Sequence, residues 1–155
     1  TSSGDLVVFA QPTAEEAEKH SILTVQAAIA ASDFKPGAKC PVEVALQIQK
    51  GWHINANPAQ PKFLKATELK AEFTSGSKLG TVVYPAGVEL MTEGIDQPLS
   101  VYEGKVTLKT TIDVPSDLAT PEEMVTFTLR YQACNEKECQ APAKLVFSGK
   151  VAAVQ

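Results

Sequence analysis

Apolar residues in this chain recur at every second position, and that spacing limits the fold more than any other feature. Leu23, Val25, Ala27 and Ile29 share one face of a candidate strand, and Val42, Val44, Leu46 and Ile48 alternate with Glu43, Ala45, Gln47 and Gln49. The same alternation runs through Thr67, Leu69, Ala71 and Phe73, then Val106, Leu108, Thr110 and Ile112, then Val125, Phe127, Leu129 and Tyr131. Leu145 to Val151 is a last β-prone run. A period of two puts one face of each strand in a core and the other in water. Lys35-Pro36-Gly37, Ser75-Gly76, Pro85-Ala86-Gly87 and Val114-Pro115-Ser116-Asp117 punctuate the runs. Many short strands without a long helix predict an all-β fold of two packed antiparallel sheets, a β-sandwich.

The first twenty residues read differently. Thr13 followed by Glu16 forms a capping box opening a short Ala/Glu-rich turn through His20. Too short to stand alone, this stretch is expected to be an arm or leader (residues 1–20) to a domain over 21–155. The chain is long enough at 155 residues to bury a sizeable core as one domain. It has no run of eighteen apolar residues that would make a membrane span. A net charge of -4 without a basic cluster argues against nucleic acid and anionic membrane surfaces as partners. Thr1 in place of methionine suggests a processed or trimmed chain, so the absence of an export signal carries no information.

Chemistry concentrates in Tyr131-Gln132-Ala133-Cys134-Asn135-Glu136-Lys137-Glu138-Cys139-Gln140-Ala141-Pro142, a connection between two candidate strands. Three readings compete for Cys134 and Cys139. A structural staple closing so small a loop would remove only about 2 kcal/mol of unfolded-state entropy. A zinc site would have to recruit His20, His53 and Cys40 from far apart in sequence. A redox disulfide on an exposed loop could be attacked by a partner thiolate. On spacing alone the staple leads. Glu136 and Glu138 around Lys137 give the loop no strongly positive field, so such a disulfide would accept attack rather than initiate it. The third cysteine, Cys40, opens an alternating run and reads as a buried, inert thiol.

A second segment, Gly51-Trp52-His53-Ile54-Asn55-Ala56-Asn57-Pro58, directly follows the strand from Val42. Trp52 is expected to be largely buried as a core anchor. His53 reads as a satisfied surface histidine, and Asn57-Pro58 as a turn initiator. No serine–histidine–acid set and no glycine-rich phosphate loop is evident.

Together these segments resemble the amino-terminal periplasmic domain of the thiol:disulfide interchange protein DsbD family. Gly51-Trp52-His53, Val101-Tyr102-Glu103-Gly104-Lys105-Val106, and above all Tyr131-Gln132-Ala133-Cys134 with Cys139-Gln140-Ala141-Pro142 carry the resemblance, in order, from about Ala31 to Val151. It implies an immunoglobulin-like fold and a periplasmic or otherwise extracytoplasmic location. It also implies a redox-active Cys134–Cys139 pair, with Cys139 the attacked sulfur. The pair would act as a thiol:disulfide oxidoreductase, taking electrons from a membrane-embedded thiol carrier and handing them to thioredoxin-like proteins. No metal or organic cofactor is expected, and the chain is expected to be a monomer. A cap loop over the disulfide would fall near Met91 to Pro98. The rival from another class is a non-catalytic immunoglobulin-like binding or assembly module with a structural disulfide.

Overall fold

In the computed structural model, residues 5–91 and 96–154 are described. Among these residues, twelve strands and one short α-helix run in the order β1 Val7–Gln11, α1 Ala14–Lys19, β2 Leu23–Ile29, β3 Lys39–Ile48, β4 His53–Gln60, β5 Glu68–Phe73, β6 Lys78–Leu79, β7 Val88–Leu90, β8 Leu99–Tyr102, β9 Lys105–Asp113, β10 Glu122–Tyr131, β11 Ala133–Cys134 and β12 Ala143–Ala152. Eight of them form one antiparallel sheet in the order β5-β10-β12-β1-β2-β3-β9-β6, and four form a second in the order β11-β4-β8-β7. The edge strands β5 and β6 of the larger sheet touch each other, so that sheet curls back on itself.

Period two explains the long strands. Leu23, Val25, Ala27 and Ile29 of β2, Val42 to Ile48 of β3 and Val125 to Tyr131 of β10 all turn their alternating apolar side chains into one core. Phe127 lies at its centre, stacked on Phe147 of β12 and edge-on to Phe9 of β1. Ile54 and Ala56 of β4, Tyr102 of β8 and Ala133 of β11 enter the same core from the smaller sheet. Two antiparallel sheets over one shared core make an immunoglobulin-like β-sandwich, as the alternation and the resemblance lead one to expect.

The first twenty residues contribute more than a tether. β1 runs between β2 and β12 inside the large sheet, an element the alternation did not announce. Gly149 of β12 allows this approach, because a Cβ there would collide with the Phe9 carbonyl. The Thr13 hydroxyl caps α1 by accepting from the Glu16 N–H at 3.1 Å, as the capping box requires. At the other end of that helix the buried His20 ring lies 2.6 Å, Nδ1 to Oη, from Tyr131, the residue that ends β10.

Asn57-Pro58 is not a turn: both residues lie within β4. Proline is tolerated because the β4–β8 register breaks between Asn55 and Gln60, so no ladder hydrogen bond from position 58 is needed. Asn55 and Asn57 instead donate from their side chains to the Lys65 and Thr67 carbonyls, and the Thr67 hydroxyl donates to the Asn55 carbonyl. These contacts tie the smaller sheet to the segment that leads into β5.

Candidate functional site

Cys134 and Cys139 are bonded to each other across a tight hairpin, and their Cα atoms are 4.0 Å apart. The hairpin explains why they meet. Asn135 N–H donates to the Glu138 carbonyl and Gln140 N–H to the Ala133 carbonyl, both at 2.8 Å. Between those two bonds Cys134 faces Cys139 as a non-hydrogen-bonded antiparallel pair, the position at which opposed side chains come closest. The Asn135 side-chain oxygen closes the turn by accepting from the N–H groups of Lys137 and Glu138, each at 2.8 Å. Gln132 spans the base of the hairpin by donating from its side chain to the Gln140 carbonyl.

The two sulfurs sit in different surroundings. Cys134 belongs to β11, the edge strand of the smaller sheet, and retains 8% of its accessible surface. Cys139 is on the outer limb of the hairpin and is exposed, as are Glu136, Lys137, Glu138 and Gln140 beside it. An incoming thiolate can therefore approach one end of the bond, while the other end is held against the sandwich.

Cys40 is elsewhere. It is fully buried in β3 within the large sheet, its thiol donating to the Ala30 carbonyl at 3.2 Å. Burial, reinforced by the nearby Asp33 carboxylate, pushes this thiol from 9.0 up to about 12. This is the inert buried thiol read from the sequence.

Around the hairpin, a groove is lined by Trp52, His53, Leu90, Met91, Glu103 and Asn135. Trp52 is half-buried, packing on the margin of the core and forming a wall of this groove; it is not the largely buried anchor expected from its position. The residue just precedes β4, where the chain emerges from the turn closed by Trp52 N–H and the Gln49 carbonyl, so its ring lies at the rim of the sandwich. His53 also departs from expectation. It is buried, with 8% of its surface left, and sits directly opposite Cys134 in the β4–β11 pairing. Burial holds its imidazole below the ordinary histidine range, and the Glu103 carboxylate acts weakly in the other direction. Neither placement could be read from sequence, because the register between β4 and β11 joins segments about eighty residues apart.

The expected cap, Met91 to Pro98, includes residues 92–95, which lie outside the described residues. Of its described part, Met91 is exposed and borders the groove beside His53. The zinc alternative gains nothing from the fold: among the described residues no three His, Cys, Asp or Glu side chains cluster to hold a metal ion. His20 is engaged with Tyr131 and Cys40 is sealed in the core. No helix is long and apolar enough to cross a membrane among the described residues.

Fold and site together define a class: immunoglobulin-like β-sandwiches that carry a disulfide on a surface hairpin of the smaller sheet. Within that class, the chain belongs to the family described as thiol:disulfide interchange protein DsbD, N-terminal, whose family model matches residues 19–150. Membership implies thiol–disulfide electron transfer. The fold is similar to that of the N-terminal periplasmic domain of ScsB from Proteus mirabilis, with a TM-score of 0.56 and 14% identity over 83% of this chain and 47% of that one. The chain thus spans about half the length of that structure. It is also similar to the Neisseria meningitidis DsbD N-terminal domain in its reduced form, with a TM-score of 0.50 and 16% identity over 89% of this chain and 98% of that one. At these identities the likeness is one of fold. No curated protein matches the chain.

Proposed function

We propose that the Cys134–Cys139 disulfide is the redox centre of an extracytoplasmic electron relay, with Cys139 the sulfur that meets partners and Cys134 the resolving one. The observation that carries this reading is the asymmetry of the bond: an exposed sulfur on a surface hairpin and a buried one on a sheet edge. A staple needs no such asymmetry, and the loop it would close contributes only about 2 kcal/mol to a domain that already has a large core.

The exchange balances as follows. A reduced donor's thiolate attacks Cys139 Sγ, the Cys134–Cys139 bond breaks, and Cys134 leaves as a thiolate that takes up a proton. The donor's second thiolate then attacks its own mixed-disulfide sulfur, releasing Cys139 reduced and leaving the donor oxidised. Delivery reverses the roles: the Cys139 thiolate attacks an acceptor disulfide, and Cys134 displaces the acceptor as a dithiol while the internal bond re-forms. By the family's chemistry the donor is a membrane-embedded thiol carrier and the acceptors are thioredoxin-like proteins, met in the periplasm. The exchange needs no cofactor, and residues 21–155, with β1 built into their large sheet, act as one monomeric unit.

Single cysteine variants test the assignment. Cys134→Ser leaves the exposed Cys139 thiol free and should capture an activated thioredoxin-like protein as a stable mixed disulfide, whereas Cys139→Ser should capture little. The wild-type pair should titrate above about −300 mV, the level below which structural disulfides usually lie. Equal capture by both variants would remove the asymmetry. A wild-type disulfide that resists dithiols under native conditions would restore the staple.

A further inference from the structure

The two histidines of this chain are both buried, but they are used differently. His20 is committed: Nδ1 meets the Tyr131 hydroxyl and Nε2 lies 3.6 Å from a Glu16 carboxylate oxygen. His53 makes no hydrogen bond or ion pair among the described residues, yet it occupies the strand position directly across from Cys134. Side chains of directly opposed residues in an antiparallel pair share a face, with Cβ atoms about 4.5–5.5 Å apart. A buried ring with no structural bond, facing the buried sulfur of the exchanging pair, is available for that sulfur's chemistry.

We propose that His53 is the general base that activates Cys134 for resolution of the mixed disulfide, which rests on the relay reading above. The chemistry requires such a group. Once Cys139 is bound to an acceptor, Cys134 must attack as a thiolate, so its thiol proton needs a place to go at a position that keeps 8% of its surface open to water. A neutral imidazole on the opposing strand takes the Cys134 proton. The thiolate attacks Cys139 Sγ, the Cys134–Cys139 bond forms, and the Cys139–acceptor bond breaks. The acceptor sulfur departs with the electron pair, and the imidazolium returns its proton to that sulfur or to water through the groove.

The surroundings keep the ring in its basic, neutral form. Desolvation disfavours the imidazolium and outweighs the Glu103 carboxylate at the β8–β9 turn, so the ring is a free base at neutral pH. Among the described residues the remaining charged groups along the groove are Lys50 from the β3–β4 turn and Glu136 from the hairpin, while Leu90 and Met91 close its β7 side with apolar surface.

The reduced full chain, mixed with dithiobis(nitrobenzoate), separates the two sulfurs in time. Cys139 attacks first and releases one coloured thiolate, and Cys134 then resolves the aryl mixed disulfide and releases a second; Cys40, sealed in the core, stays silent. In His53→Gln the second release should slow about a hundredfold at neutral pH, with the first changed by less than about twofold. At alkaline pH, where Cys134 ionises unaided, variant and wild type should converge. The wild-type second phase should be level across neutrality and fall only as acid protonates the imidazole. Without a base it would rise about tenfold per pH unit with the thiolate fraction. The wild-type profile alone decides the matter if the variant does not fold. A variant that resolves at the wild-type rate with the wild-type profile overturns the inference, and so does one that is slow at every pH, because that marks a displaced Cys134. If wild-type Cys134 and Cys139 release no colour at all, it is the relay reading that fails.

Discussion

The two sheets of the sandwich divide the labour. In the larger one, β10 and β12 pair over ten residues without a slip, from Glu122↔Ala152 to Tyr131↔Ala143, and β2 pairs with β3 over seven. In the smaller one, β11 has two residues and β7 three, and the β4–β8 register breaks midway. The first holds the aromatic centre of the core; the second holds the disulfide, His53 and the groove. Regular pairing with buried alternation gives stability but leaves no sulfur within a partner's reach. Short strands at a sheet edge contribute less burial and can present a hairpin to a partner.

Phe127→Ala would sharpen this contrast most. The ring is fully buried against Phe147 and Phe9, and its removal should cost about 3–5 kcal/mol, read as a lower denaturation midpoint at unchanged slope. Under native conditions the exchange rate of the Cys134–Cys139 pair should stay close to wild type. A large change in exchange rate would show that the sheets do not separate these roles. Trp52→Ala, on the rim of the smaller sheet, should show the reverse balance. A half-buried indole should cost only about 1–2 kcal/mol, while slowing capture of a thioredoxin-like protein by Cys139. A loss of stability as large as that of Phe127→Ala would make Trp52 a core residue after all.

The division also explains what could be read from the sequence. Val125, Phe127, Leu129 and Tyr131 declare their strand because burial on one face writes itself into every second residue. Thr13 and Glu16 declare a helix start because a cap is local. β1 does not declare itself: Val7 and Val8 are both exposed, and its place is set by β2 and β12 rather than by its own pattern. Glu123 looks like a surface residue beside Glu122. It is fully buried, however, its carboxylate accepting from the Ser75 and Ser77 N–H groups and the Thr74 hydroxyl in the β5–β6 turn. At the site, the cysteine pair was legible through its spacing on one connection and the Tyr-Gln-x-Cys resemblance. His53 opposite Cys134 was not, because register between distant strands leaves no mark in a local window.

The smallest expected effect concerns the third cysteine, which shows most directly that location decides a thiol's chemistry. Cys40 and Cys134 both belong to strands and both are buried, but Cys40 lies within the large sheet, donating to the Ala30 carbonyl. Its thiol is pushed up to about 12, so at pH 8 the nucleophilic thiolate is scarce and the core keeps reagents out. Iodoacetamide added to the native, reduced chain at pH 8 should therefore label Cys139 readily and Cys40 not at all, with Cys40 labelled once denaturant is added. The raised value also sets the sign of a stability effect. The folded state binds this proton more tightly than the unfolded chain, so the contribution is complete below the unfolded value near 9.0 and declines as pH rises from there towards about 12. Cys40→Ala should flatten that alkaline decline without changing exchange at Cys134–Cys139. Native-state alkylation of Cys40 at a rate comparable to Cys139 would show that the large sheet opens as easily as the hairpin, and the division of labour between the two sheets would fall with it.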